Sequence, residues 1–193
     1  MSDPLAIWHA EHDNFLQLLD LVEVQLKAYQ AGEQPNYELM GDVVYYLRHY
    51  SDRYHHRWED VAFSRLIERD PALELLVGRL TQEHRAIAEA GEELLRYLQE
   101  ITDDVMIERT KLEEAVKSFL VYYRHHIAAE ENEIMPRSAQ VLTPDDWAAA
   151  KAAVPRSADP LFGENFEARY RALRKQIALD ARSHVEGGAG EQE

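Results

Sequence analysis

The stretch that decides the fold is LEEAVKSFLVYYRHHIAAEENEI, residues 112–134. Its inward-facing positions recur at steps of three and four residues, which is the period of one face of an α-helix. The stripe runs through Leu112, Val116, Phe119, Tyr123, His126, Glu130 and Ile134. A histidine and a glutamate therefore occupy positions where a helix of a globular protein normally carries apolar side chains.

The same period continues through most of the first 140 residues and predicts four long helices. Their approximate ranges are 4–31, 37–70, 72–101 and 104–136. The connections are about three to six residues long, so each helix must turn back against its predecessor. The sequence therefore predicts an all-α protein, with an up-down-up-down four-helix bundle in residues 1–140.

The composition changes after Pro136. Thr143 and Pro144 indicate the start of a short helix that ends at about Val154, and Asp159-Pro160 predicts a second helix that ends near Ser183. We expect these short additional C-terminal helices to form an extension, residues 141–184, followed by a disordered tail at 185–193. The extension either packs on the bundle or forms the contact of a homodimer.

Composition and charge argue against several classes of function. The chain has 193 residues with 21 Lys and Arg against 36 Asp and Glu, and its net charge of -15 repels nucleic acids and anionic membrane surfaces. No apolar run approaches the ~20 residues that span a bilayer. The N-terminus lacks the pattern of a signal peptide, so we expect a cytoplasmic protein. With no cysteine in the sequence, any metal must be held by His, Asp or Glu.

Each of the four helical stripes contains one histidine: His12, His55, His84 and His126. Glu59 and Glu130 follow two of these histidines by four residues, on the same helix face about one turn away. Counted from the helix ends at about 1.5 Å per residue, the four histidines lie level within about 6 to 8 Å. Imidazoles and carboxylates buried together in an apolar core need charge compensation. A pair of metal ions would supply it.

The other histidines are less informative. Three of them fall off the stripes: His49, His125 and His184. An α-helical rotation turns His56 away from Ser51, whereas His9 lies one turn before His12 and is either a ligand or a partner of one. Any single histidine is explained well enough as a hydrogen-bonded core residue. The alternative is therefore an acidic helical-bundle interaction module whose histidines are structural, but the shared level of the set favours a metal site.

These motifs resemble the hemerythrin-like family, also called the HHE cation-binding domain. The matching pieces span residues 9–136: Glu11-His12, Tyr54-His55-His56-x-x-Glu59-Asp60, Glu83-His84 and His126-x-x-x-Glu130-Glu131-x-x-Ile134-Met135-Pro136. The resemblance implies two iron ions in a non-haem centre with an oxo or hydroxo bridge. The implied metal ligands are His12, His55, Glu59, His84, His126 and Glu130. This set of four histidines and two glutamates is most similar to the bacterial branch of the family.

The implied ligand set leads to a hypothesis about chemistry. If Glu59 and Glu130 each bridge both irons, one octahedral position stays open on each ion. Such a centre would bind or react with dioxygen, peroxide or nitric oxide, or would handle iron, and whether it is an enzyme stays open. Asp60 and Glu131 are rotated about 100° further round their helices. We expect these two acids to face solvent or a neighbouring helix edge.

Two other metal classes fit the sequence less well. Ferritin-like di-iron proteins carry Glu-x-x-His on two helices, and no histidine here has a glutamate three residues before it. A zinc hydrolase keeps three protein ligands and a water molecule on one ion. Six candidate ligands on four helices are too many for one such site.

Overall fold

The computed structural model describes residues 3–154, 159–164 and 166–188, with side chains up to residue 179. In chain order its helices are α1 (Pro4–Gln30), α2 (Tyr37–Tyr46), the π-helical segment π1 (Leu47–His55), α3 (His56–Arg69), α4 (Glu74–Thr102), α5 (Arg109–Ala129), the π-helical segment π2 (Glu130–Ile134), α6 (Met135–Val141), α7 (Pro144–Ala153) and α8 (Arg171–Gly188). Short 3-10 turns lie at Pro71–Leu73 and Ala168–Tyr170. The described residues contain no strand.

Four rods build the bundle. The second rod is continuous through α2, π1 and α3, and the fourth is continuous through α5, π2 and α6. α1 and α4 are the first and third rods, and α1 packs on α2 and α5 while α4 packs on the same two helices. The prediction of an all-α, up-down-up-down bundle is confirmed.

Local sequence signals account for the helix ends. The Asp3 side chain accepts the backbone N–H of Leu5 at the start of α1, and the Asn36 side chain accepts that of Leu39 at the start of α2. Gly32 has a φ of 82° just beyond α1, a conformation that glycine adopts without steric cost. These caps place the turns where the sequence predicted them, so the inward stripes keep their relative heights.

The core of the bundle is divided by a polar layer. A large apolar cluster, which includes Phe15, Leu47, Leu94 and Phe119, fills the end near the α1–α2 turn. A small apolar cluster fills the opposite end: Trp8, Trp58, Ala62, Phe63, Leu66, Val77, Leu80, Ala129, Ile134, Met135, Leu142 and Ala150. The histidines of the stripes lie between the two clusters. This arrangement keeps solvent away from the polar layer at both ends.

The C-terminal helices differ in part from the prediction. α7 packs on α3, and α8 contacts α2. The second helix begins at Arg171 instead of Asp159-Pro160, because the Asp159 side chain accepts the N–H groups of Leu161 and Phe162 and so closes a turn. The division into residues 1–140 and 141–184 stays a prediction. α8 continues to Gly188, and residues 189–193 of the predicted tail lie outside the described residues.

Within the described part of the chain, every helix is too short or too polar to cross a membrane.

Gly91 is a position where packing requires a glycine. A Cβ there would lie 2.5 Å from Arg48 Cδ and 3.1 Å from the Phe119 ring. We expect Gly91→Ala to lower the free energy of unfolding by about 1–2 kcal/mol, because overpacking outweighs the gain in helix propensity. A Cβ added at Gly78 would have no other atom within 4 Å, so Gly78→Ala should stabilise the protein by about 0.5–1 kcal/mol. Urea denaturation measures both, and a stabilised Gly91→Ala variant would contradict this packing.

Candidate metal centre

Six side chains from all four rods meet in the polar layer, and they are the six that the sequence singles out. α1 supplies His12, α4 supplies His84, and the second and fourth rods each supply a histidine and a glutamate. None of the six is more than 7% exposed: His12, His55, Glu59, His84, His126 and Glu130. The structure therefore brings the whole predicted set together in one buried cluster.

The two glutamates occupy the middle of the cluster, and each directs its two oxygens to opposite sides. Glu59 Oε1 lies 2.7 Å from His55 Nε2, while Glu59 Oε2 lies 3.3 Å from His84 Nε2. Glu130 Oε2 lies 3.1 Å from His12 Nε2, while Glu130 Oε1 lies 3.2 Å from His126 Nε2. The histidines thus form two pairs, one from the first two rods and one from the last two, and both carboxylates face both pairs.

A second set of carboxylates surrounds the four imidazoles. Each outward nitrogen, Nδ1, lies against an acid of an adjacent rod: Glu11 with His55 at 2.8 Å, Asp60 with His84 at 3.1 Å, Glu83 with His126 at 3.2 Å and Glu131 with His12 at 2.6 Å. Each rod supplies one acid to the histidine of the next rod, and the ring closes. A carboxylate at Nδ1 holds the proton there, so Nε2 is left to face the centre.

The roles of these four acids are not read from the sequence alone. Asp60 and Glu131 do lie at helix edges, with side chains 45% and 26% exposed, but each uses that edge to contact an imidazole. A signal was present, because each acid is the immediate sequence neighbour of a predicted ligand. A neighbouring residue is rotated by about 100° and therefore points toward the adjoining helix instead of the centre.

His56 is a fifth buried imidazole, and the expectation that it turns away from the core is wrong. It is 4% exposed, and its ring stacks on His84 with 4.3 Å between centroids. The backbone N–H of His56 bonds to the carbonyl of Ser51, five residues earlier. This π-helical bond brings residues five apart into line, which an α-helical wheel does not anticipate.

Both ring nitrogens of His56 have partners within the protein. Nε2 lies 3.2 Å from Ser51 Oγ, and Nδ1 lies 3.0 Å from Asp52 Oδ1. Burial and the neighbouring His84 lower the pKa of His56 to about 4, so the ring is neutral near pH 7. Ser51 also accepts a hydrogen bond from the Tyr123 hydroxyl at 2.7 Å. The side chain is thus held in a hydrogen-bonded chain beside the cluster.

The donor atoms of the cluster fit a metal ion. Within the described residues, five donor atoms of the cluster are buried without a hydrogen-bond partner: Glu59 Oε2, His84 Nε2, His126 Nε2 and both carboxylate oxygens of Glu130. Leaving such atoms unpaired is costly in a folded protein. Two overlapping groups also bring one donor atom per residue within 4.8 Å of each other: His12, His55, Glu59 and Glu130, and His56, Glu59, His84 and His126. Imidazole and carboxylate together are ligands that iron and related transition metals accept.

Charges inside the cluster shift its pKa values strongly. Burial lowers the pKa of His12, but the surrounding carboxylates, led by Glu130, outweigh burial and raise it to about 11. Burial also opposes the effect of Glu130 on His126, whose pKa is raised to about 9. Burial raises the pKa of Glu59, but His55 and the other imidazoles lower it well below its ordinary value. Protons on the imidazoles therefore balance the carboxylates when no ion does.

The remaining histidines lie outside the cluster. His49 and His125 are exposed, and the side chain of His184 lies beyond the described side chains. His9 is 59% exposed, and its Nδ1 lies 3.0 Å from Glu131 Oε1. Because Glu131 also contacts His12, His9 reaches the cluster only through this carboxylate.

Comparison with known proteins identifies the family. A family model described as the hemerythrin HHE cation-binding domain matches residues 3–138. The chain therefore belongs to the hemerythrin HHE cation-binding domain family, and the resemblance of its motifs to this family is confirmed. The assignment to the bacterial branch stays a prediction. The comparisons with curated proteins and with solved structures give no match. Family membership implies cation binding, and the buried histidines and glutamates fit a metal site.

The protonated imidazoles determine how the chelator-stripped protein responds to pH. A histidine whose pKa in the folded protein lies above the ordinary 6.5 stabilises the fold through its protonated form. This stabilisation is fully present below pH 6.5 and is lost as the pH rises through the folded-state pKa, which is about 9 for His126. We expect the melting temperature of the stripped protein to fall across this interval. Metal-loaded protein should resist the fall, because ligation requires neutral imidazoles. A stripped protein whose melting temperature rises from pH 6.5 to 9 would contradict the shifted pKa values.

Proposed function

We propose that this hemerythrin-family protein binds two iron ions in the buried cluster. His12 and His55 would hold one ion, His84 and His126 the other, and Glu59 and Glu130 would bridge them. The observation that carries the proposal is that each glutamate directs one oxygen to each histidine pair. Each ion then receives two imidazole nitrogens and two carboxylate oxygens from the chain, which leaves room for small ligands.

The charges of the cluster support a bound cation. Six carboxylates face the four imidazoles: the inner pair Glu59 and Glu130, and the outer acids Glu11, Asp60, Glu83 and Glu131. The outer acids are partly exposed, whereas the inner pair is fully buried. Two buried negative charges are costly unless metal ions or protonated imidazoles balance them.

The alternative of structural histidines accounts less well for the centre. Histidines that serve only to stabilise a bundle would be expected to satisfy the buried carboxylates through hydrogen bonds. Here both oxygens of Glu130 and one of Glu59 are buried without such a bond. These carboxylate oxygens lie 3.1 to 3.3 Å from imidazole nitrogens but have no hydrogen bond to them. This arrangement favours a cation between the two kinds of group.

The chain's own residues define which ligands can reach the centre. The Phe15 ring lies 4.8 Å from the His55 ring, and the Phe63 ring stacks 6.0 Å from His84. These apolar walls exclude water and strengthen electrostatic interactions inside the cluster. When bound, an iron pair supplies electron transfer and open coordination positions. The burial of all six side chains favours a small ligand such as dioxygen, nitric oxide or peroxide.

Metal analysis tests the proposal directly. Protein produced in iron-replete cells should carry two irons per chain and show charge-transfer absorption that a chelator removes. Glu59→Ala should lose at least one iron and melt at a lower temperature, because ligation free energy adds to folding free energy. Glu68→Ala is the matched control in α3, since that side chain is 62% exposed. Wild-type protein that reproducibly holds one zinc and no iron would refute the di-iron centre.

We expect the outer carboxylates to contribute to iron affinity through the imidazoles that they contact. Glu131→Gln keeps the size of the side chain but removes the charge beside His12 Nδ1. Because groups that orient a metal-bound imidazole contribute to affinity, we expect iron affinity to fall by about 10–100-fold. Glu133→Gln, two residues away in π2 and 50% exposed, should leave the affinity unchanged. Competition with a coloured chelator measures both, and equal affinities of the two variants would exclude this role for Glu131.

A further inference from the structure

The three tryptophans of the chain lie in a row that leads from the cluster to the surface. Trp8 is fully buried, Trp58 is 5% exposed and Trp147 is partly exposed. The ring centroids of Trp8 and Trp58 are 5.2 Å apart, and those of Trp58 and Trp147 are 5.5 Å apart with the rings 14° from parallel. Trp8 and Trp147 also lie 6.4 Å apart. Each indole is therefore in ring contact with the other two, and the two shorter contacts define a row from Trp8 through Trp58 to Trp147.

The inner end of the row touches the cluster directly. The indole N–H of Trp8 donates to Glu59 Oε1 at 2.5 Å and lies 3.1 Å from His12 Nε2. A buried indole needs a hydrogen-bond acceptor, and here the acceptor is a carboxylate that we assign as a bridge between the ions. The hydrogen bond couples the aromatic system of Trp8 to the metal ligands.

The outer end of the row is fixed by polar contacts of α7. Thr143 and Asp146 form a capping box at the start of this helix. Asp146 also accepts a hydrogen bond from Arg69 of α3 at 3.1 Å. These bonds hold α7 against α3, so that Trp147 stacks on Trp58. Three separate elements, α1, α3 and α7, thus contribute one tryptophan each.

We propose that Trp8, Trp58 and Trp147 form an electron-transfer path between the metal centre and the protein surface. The inference rests on the iron centre proposed above. Tryptophan is among the side chains that lose a single electron most readily, and aromatic rings in contact exchange electrons without making or breaking bonds. Phe63, which also contacts Trp8 at 6.1 Å, is much harder to oxidise and lies off the path.

The path would deliver electrons for the reduction of hydrogen peroxide at the centre when no reductant is present in solution. Reduction of one peroxide molecule breaks the O–O bond and consumes two electrons and two protons to give two water molecules. Trp147 supplies both electrons, one at a time, through Trp58 and Trp8. One water molecule then adds to the oxidised Trp147 ring, forms a C–O bond and releases two protons. In sum, one peroxide and one tryptophan give one water and one hydroxytryptophan.

A reductant in solution changes this outcome. A thiol or ascorbate returns each electron to the partly exposed Trp147 ring before water adds. The ring is then preserved, and the reductant supplies the electrons for peroxide reduction. The path would therefore protect the buried ligands from oxidation and let soluble donors act on a centre that they cannot touch.

Peptide mass spectrometry tests the path in iron-loaded protein treated with hydrogen peroxide without reductant. In wild type we expect one added oxygen atom on Trp147. Trp8→Phe keeps an aromatic ring but removes the first redox step, so Trp147 oxidation should fall to the level of iron-free protein. Leu66→Val is the matched control, because it alters packing in the small apolar cluster that contains Trp8 without removing an oxidisable ring, and it should keep the wild-type product.

Trp147→Phe provides a second arm at a partly exposed position that does not depend on the stability of a core variant. Loss of the outer ring should move the added oxygen to Trp58. Electron paramagnetic resonance should also detect a tryptophan radical that lives longer in this variant than in wild type. Iron content is measured on every sample. Iron-loaded Trp8→Phe with wild-type oxidation of Trp147 would overturn the path and leave iron binding intact. Wild-type protein without bound iron would overturn the proposed function instead.

Discussion

The burial of two carboxylates in the middle of an apolar bundle is the constraint on which the rest of the structure depends. A buried carboxylate without a partner costs several kcal/mol. Glu59 and Glu130 are therefore faced by four imidazoles, and these imidazoles are faced in turn by four outer carboxylates from adjacent rods. The ring closes only if all four rods keep their heights. A slip of one helix would break contacts on both of its sides, so the polar layer specifies the register that apolar packing alone leaves loose.

The helices and the composition of the cluster are predictable from the sequence because both follow from the helical period. Caps at Asp3 and Asn36 fix where the rods begin, and residues at equal heights on inward stripes must meet. The position of His56 is not predictable in this way. Its orientation depends on a backbone hydrogen bond spanning five residues within π1, and no residue type marks that bond in the sequence. The prediction for Glu59 is unaffected, because that residue lies in the regular helix α3 and is buried as the stripe predicts.

The two π-helical segments flank the cluster, since π1 ends at His55 and π2 begins at Glu130. π-helical turns are rare and are frequently found at functional sites. In π1 the extra residue per turn lets consecutive histidines, His55 and His56, both enter the core. His55 then faces the carboxylate of Glu59 while His56 stacks on His84. The irregular backbone thus places more imidazole around the centre than a regular helix of the same sequence would.

Equal numbers of donors do not make the two halves of the cluster equivalent. On the side of His12 and His55, the oxygen of Glu59 also accepts the indole N–H of Trp8, which draws electron density away from that oxygen. On the side of His84 and His126, the nearest additional ring is the neutral imidazole of His56. An ion in the first half would therefore have a more electron-poor carboxylate as a ligand, and that carboxylate contacts an oxidisable ring. In the centre proposed above, electrons would reach the metal pair through this half, and a small ligand would meet two chemically distinct ions despite the symmetry of the sequence motifs.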